Sequence, residues 1–595
     1  MRAWRYGMAC SWLLAVCACG ASGPAVKGGA TPAAASRIDG TARSNENAKV
    51  LLDLEARFEP ESASGEGFDG YDEQVIDLGP DLTERSLRAY RDGEVILSAR
   101  LARESDPAVR ADLELLLQAS QLHRERIELD EKWTVPFVDV ANIVFRGLSV
   151  LLDDSLPEAR RRAAVVRLRR YAGMTAGQHS IVDLAIQRTR ERLDRPGLVF
   201  PAKARVEKVL TTMPIMTEGV GKLLKKYAIP GYEEPLARWN EQVAAYTKFV
   251  RENILPRARL DFRQPPELYR LALKEAGIDA PPREVAAKAR EAFTRVQREM
   301  QELAPRVARE KGLSVTDYRD VIRALKKTQL EGDDLLATYR RRIPEIEAIL
   351  RREHLITVPA RAMQIRLATD AESARVPAPF FNSPRIIGNT GEQGEFVLPK
   401  QLAADPSKRL DDFSYEAASW WLTAHEGRPG HELQYSTMIE RKISIARAIF
   451  AFNSVNAEGW GLYAEDMMRP YMPLDGQLIC LQARLMRAAH AFLDIELNLG
   501  LIGTSEAHRV MHEEAVFSEA WTNSAVERYT FWWPAQAPSY FYGYMRLMEL
   551  RADAQKAMGK RFDLAAFHDF VLAQGLVPPP LLRKAVFADL VKQTG

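Results

Sequence analysis

"TAHEGRPGHELQY" (residues 423–435) sets His425 beside Glu426 and places a second histidine, His431, six residues after the first. The usual metal-binding helix of a hydrolase spaces its two histidines four apart, so that both rings leave one face. Each helical residue turns about 100°, so four steps leave two side chains about 40° apart and six steps about 120°. An unbroken helix therefore cannot aim His425 and His431 at one ion. Pro429 and Gly430 lie between them. Proline has no N–H for the carbonyl four residues back, here that of His425, and its ring clashes with that group. Glycine takes backbone angles that other residues resist. The spacing predicts a helix that stops at Pro429–Gly430 and restarts, swinging His431 back toward His425.

A third donor stands in "NSVNAEGWGLYAED" (453–466): Glu458, 27 residues after His431, with Glu465 two helical turns further on and near the same face. Zinc sites draw on imidazole nitrogen and carboxylate oxygen, and catalytic ones keep one position for water. His425, His431 and Glu458 are the candidate ligands of a single Zn²⁺ ion, although the same donors suit Mn or Fe. Glu426, next to a ligand, is the candidate general base for a metal-activated water. Glu465 is assigned behind the ligands, as a carboxylate supporting them; its alternative is an ordinary salt bridge.

"VERYTFWWPAQAPSYFYGYMRLMELR" (526–551) is dense in aromatic residues with polar tips. Arg528, Gln536, Tyr540 and Tyr544 stand out. Tyr540 and Tyr544 are one helical turn apart, and a tyrosine hydroxyl can donate to the oxyanion of a tetrahedral intermediate. Most of the other aromatic residues read as core. The remaining histidines, His490 among them, lack a carboxylate at metal-ligand spacing and are read as structural.

The chain of 595 residues is long enough for more than one domain and a large core, with 46% apolar and 27% charged residues. Its 82 Lys plus Arg against 80 Asp plus Glu leave no basic footprint, so nucleic acid is excluded as a partner. The start differs: Arg2 and Arg5 precede an apolar run from Met8 to Ala18, the pattern of a secretory leader. "VCAC" (16–19) resembles a bacterial lipobox, with Cys19 as the residue to be lipidated. Cys10, Cys17 and Cys19 fall in the leader, which leaves Cys480 without a disulfide partner. The expected organisation is a lipoprotein-type signal peptide (1–19), a flexible tether (20–47), an N-terminal helical region (48–350) and a catalytic region (351–595). The expected location is outside the cytoplasm, in the periplasm or anchored to a membrane through Cys19.

Helical periodicity dominates beyond the tether. "PREVAAKAREAFTRVQREMQELAPRVAREKG" (282–312) reads as one long helix stopped at Gly312, and "DDLLATYRRRIPEIEAILRREH" (333–354) as two segments split at Pro344. "LITVPARAMQIRLATD" (355–370) and "NTGEQGEFVLPK" (389–400) carry strand and turn residues and predict a small sheet upstream of His425. An edge strand there is placed to pair with a substrate backbone.

"HEGRPGHELQ", "NAEGWGLYAE", the aromatic stretch 526–551 and "FDLAAFHDFVLAQGLVP" resemble the bacterial family called domain of unknown function 885, from about residue 50 to the C-terminus. The resemblance implies a mainly α fold: a large helical zincin-like (oligopeptidase-like) architecture with a small β-sheet next to the metal helix. It implies a zinc metallopeptidase whose His-Glu pair is His425–Glu426, whose histidine after Pro-Gly is His431, and whose glutamate before Gly-Trp is Glu458. It carries further elements onto Arg528, Tyr529, Gln536 and Tyr540, with Tyr529 and Gln536 as substrate contacts. "YFYGYMRL" is similar to the tyrosine-rich loop of thimet-oligopeptidase-like enzymes, which implies an oxyanion role for Tyr544. The chain departs from the family pattern at Glu432, Ala525 and Ala535, where a histidine, a glutamate and a glycine are usual. The expected function is hydrolysis of peptide bonds in short peptides. The alternatives are a non-catalytic, envelope-tethered protein binding peptides or partners, and a metal-dependent hydrolase of a non-peptide amide or ester.

Overall fold

The computed structural model describes residues 32–593, apart from 69, 153–155, 369–371, 374–375, 377, 390 and 401–408. The leader and Cys19 lie outside the described residues. Residues 32–47, expected as tether, form the first part of a helix, α1 (Pro32–Phe58). The reason is burial. Gly40, Ser44, Asn47 and Ala48 are inside, because α1 packs along the helix Pro107–Trp133. Small polar residues that read as linker composition serve here as a close-packing face.

The long helix read at 282–312 is α2 (Pro282–Glu310), followed by Gly312 at φ 67°. Its buried Val285, Ala289, Val296, Met300, Ala304 and Val307 recur at helical spacing. They face α7 (Leu474–Asn498), named here with α3 (Gly332–Arg352), α4 (Ala418–Glu426), α5 (His431–Glu440), α6 (Ser454–Met468) and α8 (Pro538–Met558). The split expected at Pro344 is absent, since α3 runs through it. Leu335 and Tyr339 before the proline and Ile346, Ile349 and Leu350 after it are buried on one continuous side. That burial outweighs the roughly 3 kcal/mol that an interior proline costs.

The sheet has three strands: β1 (Gln364–Leu367) and β3 (Glu395–Leu398) run parallel, and β2 (Phe380–Asn382) is antiparallel to β3. Two of the three fall in the stretches read as strands, and β2 does not. With order β1-β3-β2, β2 is an edge, Phe381 standing opposite Phe396. The largest core runs from Leu115 to Val586, and a second gathers residues from Leu78 to Ile254. The boundary drawn near 350 therefore does not coincide with a break between cores. No helix among the described residues is long and apolar enough to cross a membrane.

Candidate metal centre

The helix carrying His425 ends at Glu426, and the next begins at His431. Between them the chain makes the predicted turn, with a cis peptide at Arg428–Pro429. A methyl group on Gly430 would lie 1.9 Å from the His425 carbonyl oxygen, so only glycine fits. The turn is held from three directions. The buried Arg428 guanidinium donates to Glu432 Oε2 at 2.6 Å, to Glu347 Oε1 at 2.6 Å and to the Arg361 carbonyl at 3.1 Å. Trp460 Nε1 donates to the Pro429 carbonyl at 2.9 Å. Glu432, one of the departures from the family pattern, thus braces the turn through Arg428 and through Arg361, 2.7 Å away.

The turn brings the two imidazoles to a centroid distance of 4.8 Å with planes at 85°. Glu458 Oε2 lies 3.4 Å from His425 Nε2 and 3.7 Å from His431 Nε2. One donor atom from each of the three residues lies within 4.8 Å of the others. Bonds of about 2.0–2.1 Å at tetrahedral angles put ligand atoms roughly 3.4 Å apart, so the spacing suits a zinc-sized ion. Glu458 Oε2 is buried and has no hydrogen-bond donor, the condition expected of an atom that a cation satisfies. The residues present fit the metal.

Electrostatics agree with the geometry. Burial opposes a charged His425, but the carboxylates of Glu458 and Glu465 prevail and push it up to about 10. Burial likewise raises the Glu458 carboxyl, but His425 and His431 hold it below the usual carboxylate range. Without an ion the cluster keeps a proton on His425, which a cation held by these residues would have to displace. Glu465 Oε1 sits 2.7 Å from His425 Nδ1, which fixes that nitrogen as the donor and leaves Nε2 for the cluster. The glycines of "EGWG" make room for this. A methyl on Gly461 would come 2.6 Å from His425 Cε1, and one on Gly459 within 2.6 Å of Gly543 Cα on α8.

Glu426 keeps one carboxylate oxygen, Oε2, on the Phe381 backbone N–H of β2 at 2.9 Å. Its Oε1 lies 3.9 Å from His425 Nε2. Burial raises its pKa against the pull of the two histidines. The sheet therefore reaches the centre through β2, the strand that the sequence concealed in a three-residue run.

Tyr540 is buried with its ring stacked on His425, centroids 6.4 Å apart and planes at 19°. Its hydroxyl accepts from Arg528 Nη2 at 3.2 Å, so its own proton is free to be donated. Burial raises the Tyr540 pKa despite Arg528, which keeps that proton in place at neutral pH. Arg528 begins a π-helical turn, Arg528–Trp532, and also donates to Gln536, whose Nε2 reaches Ser454 Oγ at 2.9 Å. Gln536 thus positions Arg528. Two other expected residues lie elsewhere. Tyr544 donates to Asp466 at 2.9 Å, under the Arg484 guanidinium, because it is one turn, about 6 Å, further along α8. Tyr529, expected as a substrate contact, is fully buried with its hydroxyl toward Met511 Sδ at 3.9 Å.

A cavity of about 1280 Å³ lies mainly among the N-terminal helices. Its wall includes Tyr90, Phe137 and Arg192 on one side, and Tyr435, Thr530 and Phe531 on the other. Tyr435 follows His431 by one turn on α5, and Thr530 follows Arg528 by two residues, but none of His425, Glu426, His431, Glu458, Arg528 and Tyr540 lines the cavity. Arg487 and His490 of α7 approach the centre through Tyr540 and do not line the cavity. The Arg487 guanidinium lies 3.9 Å from the centroid of the Tyr540 ring, and the His490 ring meets Tyr540 edge-on at 6.4 Å. Neither belongs to a motif, and the periodicity of α7 marks them only as inward-facing.

These features define a class: a large helical protein with a small sheet, organised around a buried His–His–Glu cluster with a second glutamate behind it. The chain belongs to the bacterial family of unknown function DUF885, whose profile matches residues 60–586. Two solved structures share the fold. One is described as "a putative lipoprotein of unknown function from Shewanella oneidensis", with TM-score 0.72 and 19% identity, covering 92% of this chain and 99% of that one. The other is "the putative lipoprotein from Colwellia psychrerythraea", with TM-score 0.75 and 18% identity, covering 94% and 99%. No curated protein matches the chain.

Proposed function

We propose that this protein is a zinc-dependent hydrolase that cleaves peptide bonds, acting on short peptides outside the cytoplasm. The observation that carries the reading is the convergence of His425, His431 and the donorless Glu458 Oε2 within 4.8 Å, with Glu426 alongside. His425, His431 and Glu458 hold the ion, which when bound supplies Lewis acidity and an activated water. Glu426, steadied by the Phe381 N–H, takes the proton of the attacking water and passes it to the leaving amine. Tyr540, with Arg528 behind it, donates to the oxyanion that develops on the carbonyl. The centre is buried within a helical body, which favours short chains over folded proteins. The leader with Cys19 supports export and lipid anchoring, in keeping with the description of the two structural relatives as lipoproteins.

The test is a peptide-library digest by leaderless protein, with and without chelator, analysed by mass spectrometry beside the Glu426→Gln variant. Cleavage that zinc restores and Glu426→Gln lowers by at least about 100-fold, at unchanged metal content, is expected. Full turnover by that variant removes the base assignment. Purified protein that takes up no stoichiometric zinc removes the reading.

A further inference from the structure

We propose that Arg487, with His490 one turn further along α7, forms a subsite for a substrate's terminal carboxylate, so that this protein trims peptides from a free C-terminus. The inference rests on the hydrolase reading and adds the substrate class.

Arg487 is 6% exposed, and among the described residues no carboxylate lies within ion-pair distance of it. Its Nε is buried without an acceptor; the face of Tyr540 lies 3.9 Å away, and the Glu426 carboxylate is near enough to feel its charge but does not pair with it. Other buried arginines have acceptors: Arg428 has Glu347 and Glu432, Arg342 has Glu345 and Glu416, and Arg167 has the Gly147 and Tyr71 carbonyls. A buried guanidinium without a counter-charge is costly unless something supplies one. His490 is a second, independent orphan. It is 1% exposed, and neither ring nitrogen has a hydrogen-bond partner. Aromatic rings of Tyr529 and Tyr540 flank it edge-on at 5.4 and 6.4 Å, and hydrocarbon and ring edges satisfy neither nitrogen. Two polar groups on one helix face, both unsatisfied and both against Tyr540, call for one shared acceptor-rich ligand. A carboxylate answers both: it accepts two N–H bonds from the guanidinium fork and a third from the imidazole.

The position selects the carboxylate in question. Arg487 lies 3.9 Å from the Tyr540 ring centre and the His425 ring centre 6.4 Å from it, so the two groups are within about 10 Å of each other. A carboxylate at Arg487 is therefore within a residue or two of a carbonyl at the metal centre, since one residue spans about 3.8 Å. Hydrolysis there adds one water across the C–N bond. The hydroxyl goes to the acyl carbon, the proton to the amine, and a short C-terminal fragment leaves.

The experiment compares one N-acetylated hexapeptide as the free acid and as its C-terminal amide, using zinc-loaded leaderless protein. The acid is expected to be cut at least 100-fold more efficiently in kcat/KM, with products forming a ladder from the C-terminus. Arg487→Met should reduce that ratio toward one mainly by raising KM for the acid, and Arg487→Lys should restore part of it. Equal rates for acid and amide in the unaltered protein overturn the proposal while leaving the hydrolase reading intact. Calorimetric titration of the Glu426→Gln protein with the two peptides separates the two claims. Preference for the acid that Arg487→Met abolishes supports the subsite even if neither peptide is cut, whereas equal affinities overturn it. A melting curve for each variant identifies any loss that comes from misfolding, and the acid–amide comparison on the unaltered protein needs no variant.

Discussion

Glu465 Oε1 lies 2.7 Å from His425 Nδ1, and both side chains are almost wholly buried. The contact chooses the imidazole tautomer and holds the plane of the ring, so Nε2 points where Glu458 and His431 converge. Ligand orientation of this kind sets metal affinity. Glu465→Gln, which keeps a hydrogen bond but loses the charge, should weaken zinc binding by about 10-fold, and Glu465→Ala by up to about 100-fold. Titration against a chelating dye measures both. Unchanged affinity in the alanine variant would reduce Glu465 to a structural salt-bridge partner.

The two tyrosines of α8 should respond differently. Tyr540 stacks on His425 with its hydroxyl accepting from Arg528, whereas Tyr544 donates its hydroxyl to Asp466. Tyr540→Phe is expected to lower kcat by about 100- to 1,000-fold with little effect on zinc content. Tyr544→Phe should leave kcat within a few-fold and cost about 1 kcal/mol of stability through the lost hydrogen bond. The reverse ranking in a peptide-hydrolysis assay would mean that Tyr544 swings into the site on substrate binding.

This pair shows where sequence stops being informative. Helical periodicity says that residues 540 and 544 share a face, but not which neighbour each turn meets. The centre itself was legible because its chemistry is written in rare residues: His425 and His431 are two of only nine histidines, and the break at Pro429–Gly430 is needed to reconcile their spacing. Glu458 was legible from its motif. β2 was not, since a run of three residues has no period, and its tie to Glu426 passes through a backbone N–H that any residue supplies. Arg487 and His490 were hidden for the opposite reason. They sit in a helix whose every face is buried, so inward orientation there distinguishes nothing.

Ala535 carries a local cost that can be removed. It has φ 75°, in the left-handed region, where its methyl group is strained, and it is held there by two contacts from its N–H to the buried Asp494 carboxylate at 2.9 and 3.0 Å. Ala535→Gly relieves the strain and gives back part of the gain as extra freedom in the unfolded chain. A net stabilisation of about 1 kcal/mol is expected, visible as a higher urea midpoint at constant m-value. A lower midpoint would show that the methyl group is a packing element of its buried surroundings.

Acid should weaken the fold at His568, a histidine outside the candidate cluster whose ring packs on Trp460. His568 is buried, its Nδ1 2.7 Å from the Leu355 carbonyl and its Nε2 2.7 Å from the Tyr463 hydroxyl. The first contact makes Nδ1 the donor, so Nε2 accepts from Tyr463 and the ring is neutral. Burial holds the group down at about 4, against an ordinary 6.5. Between those two values the unfolded chain binds a proton that the native state refuses, so stability falls as the pH falls through this window. The full loss, reached below about pH 4, is roughly 3 kcal/mol. His568→Gln, whose amide can donate to Leu355 and accept from Tyr463 without titrating, should flatten this part of the profile, staying close to the parent at pH 7 and exceeding it at pH 4. Urea unfolding of the two proteins at half-unit steps from pH 4 to 7 makes the comparison. Parallel curves across the window would assign the acid sensitivity to other groups.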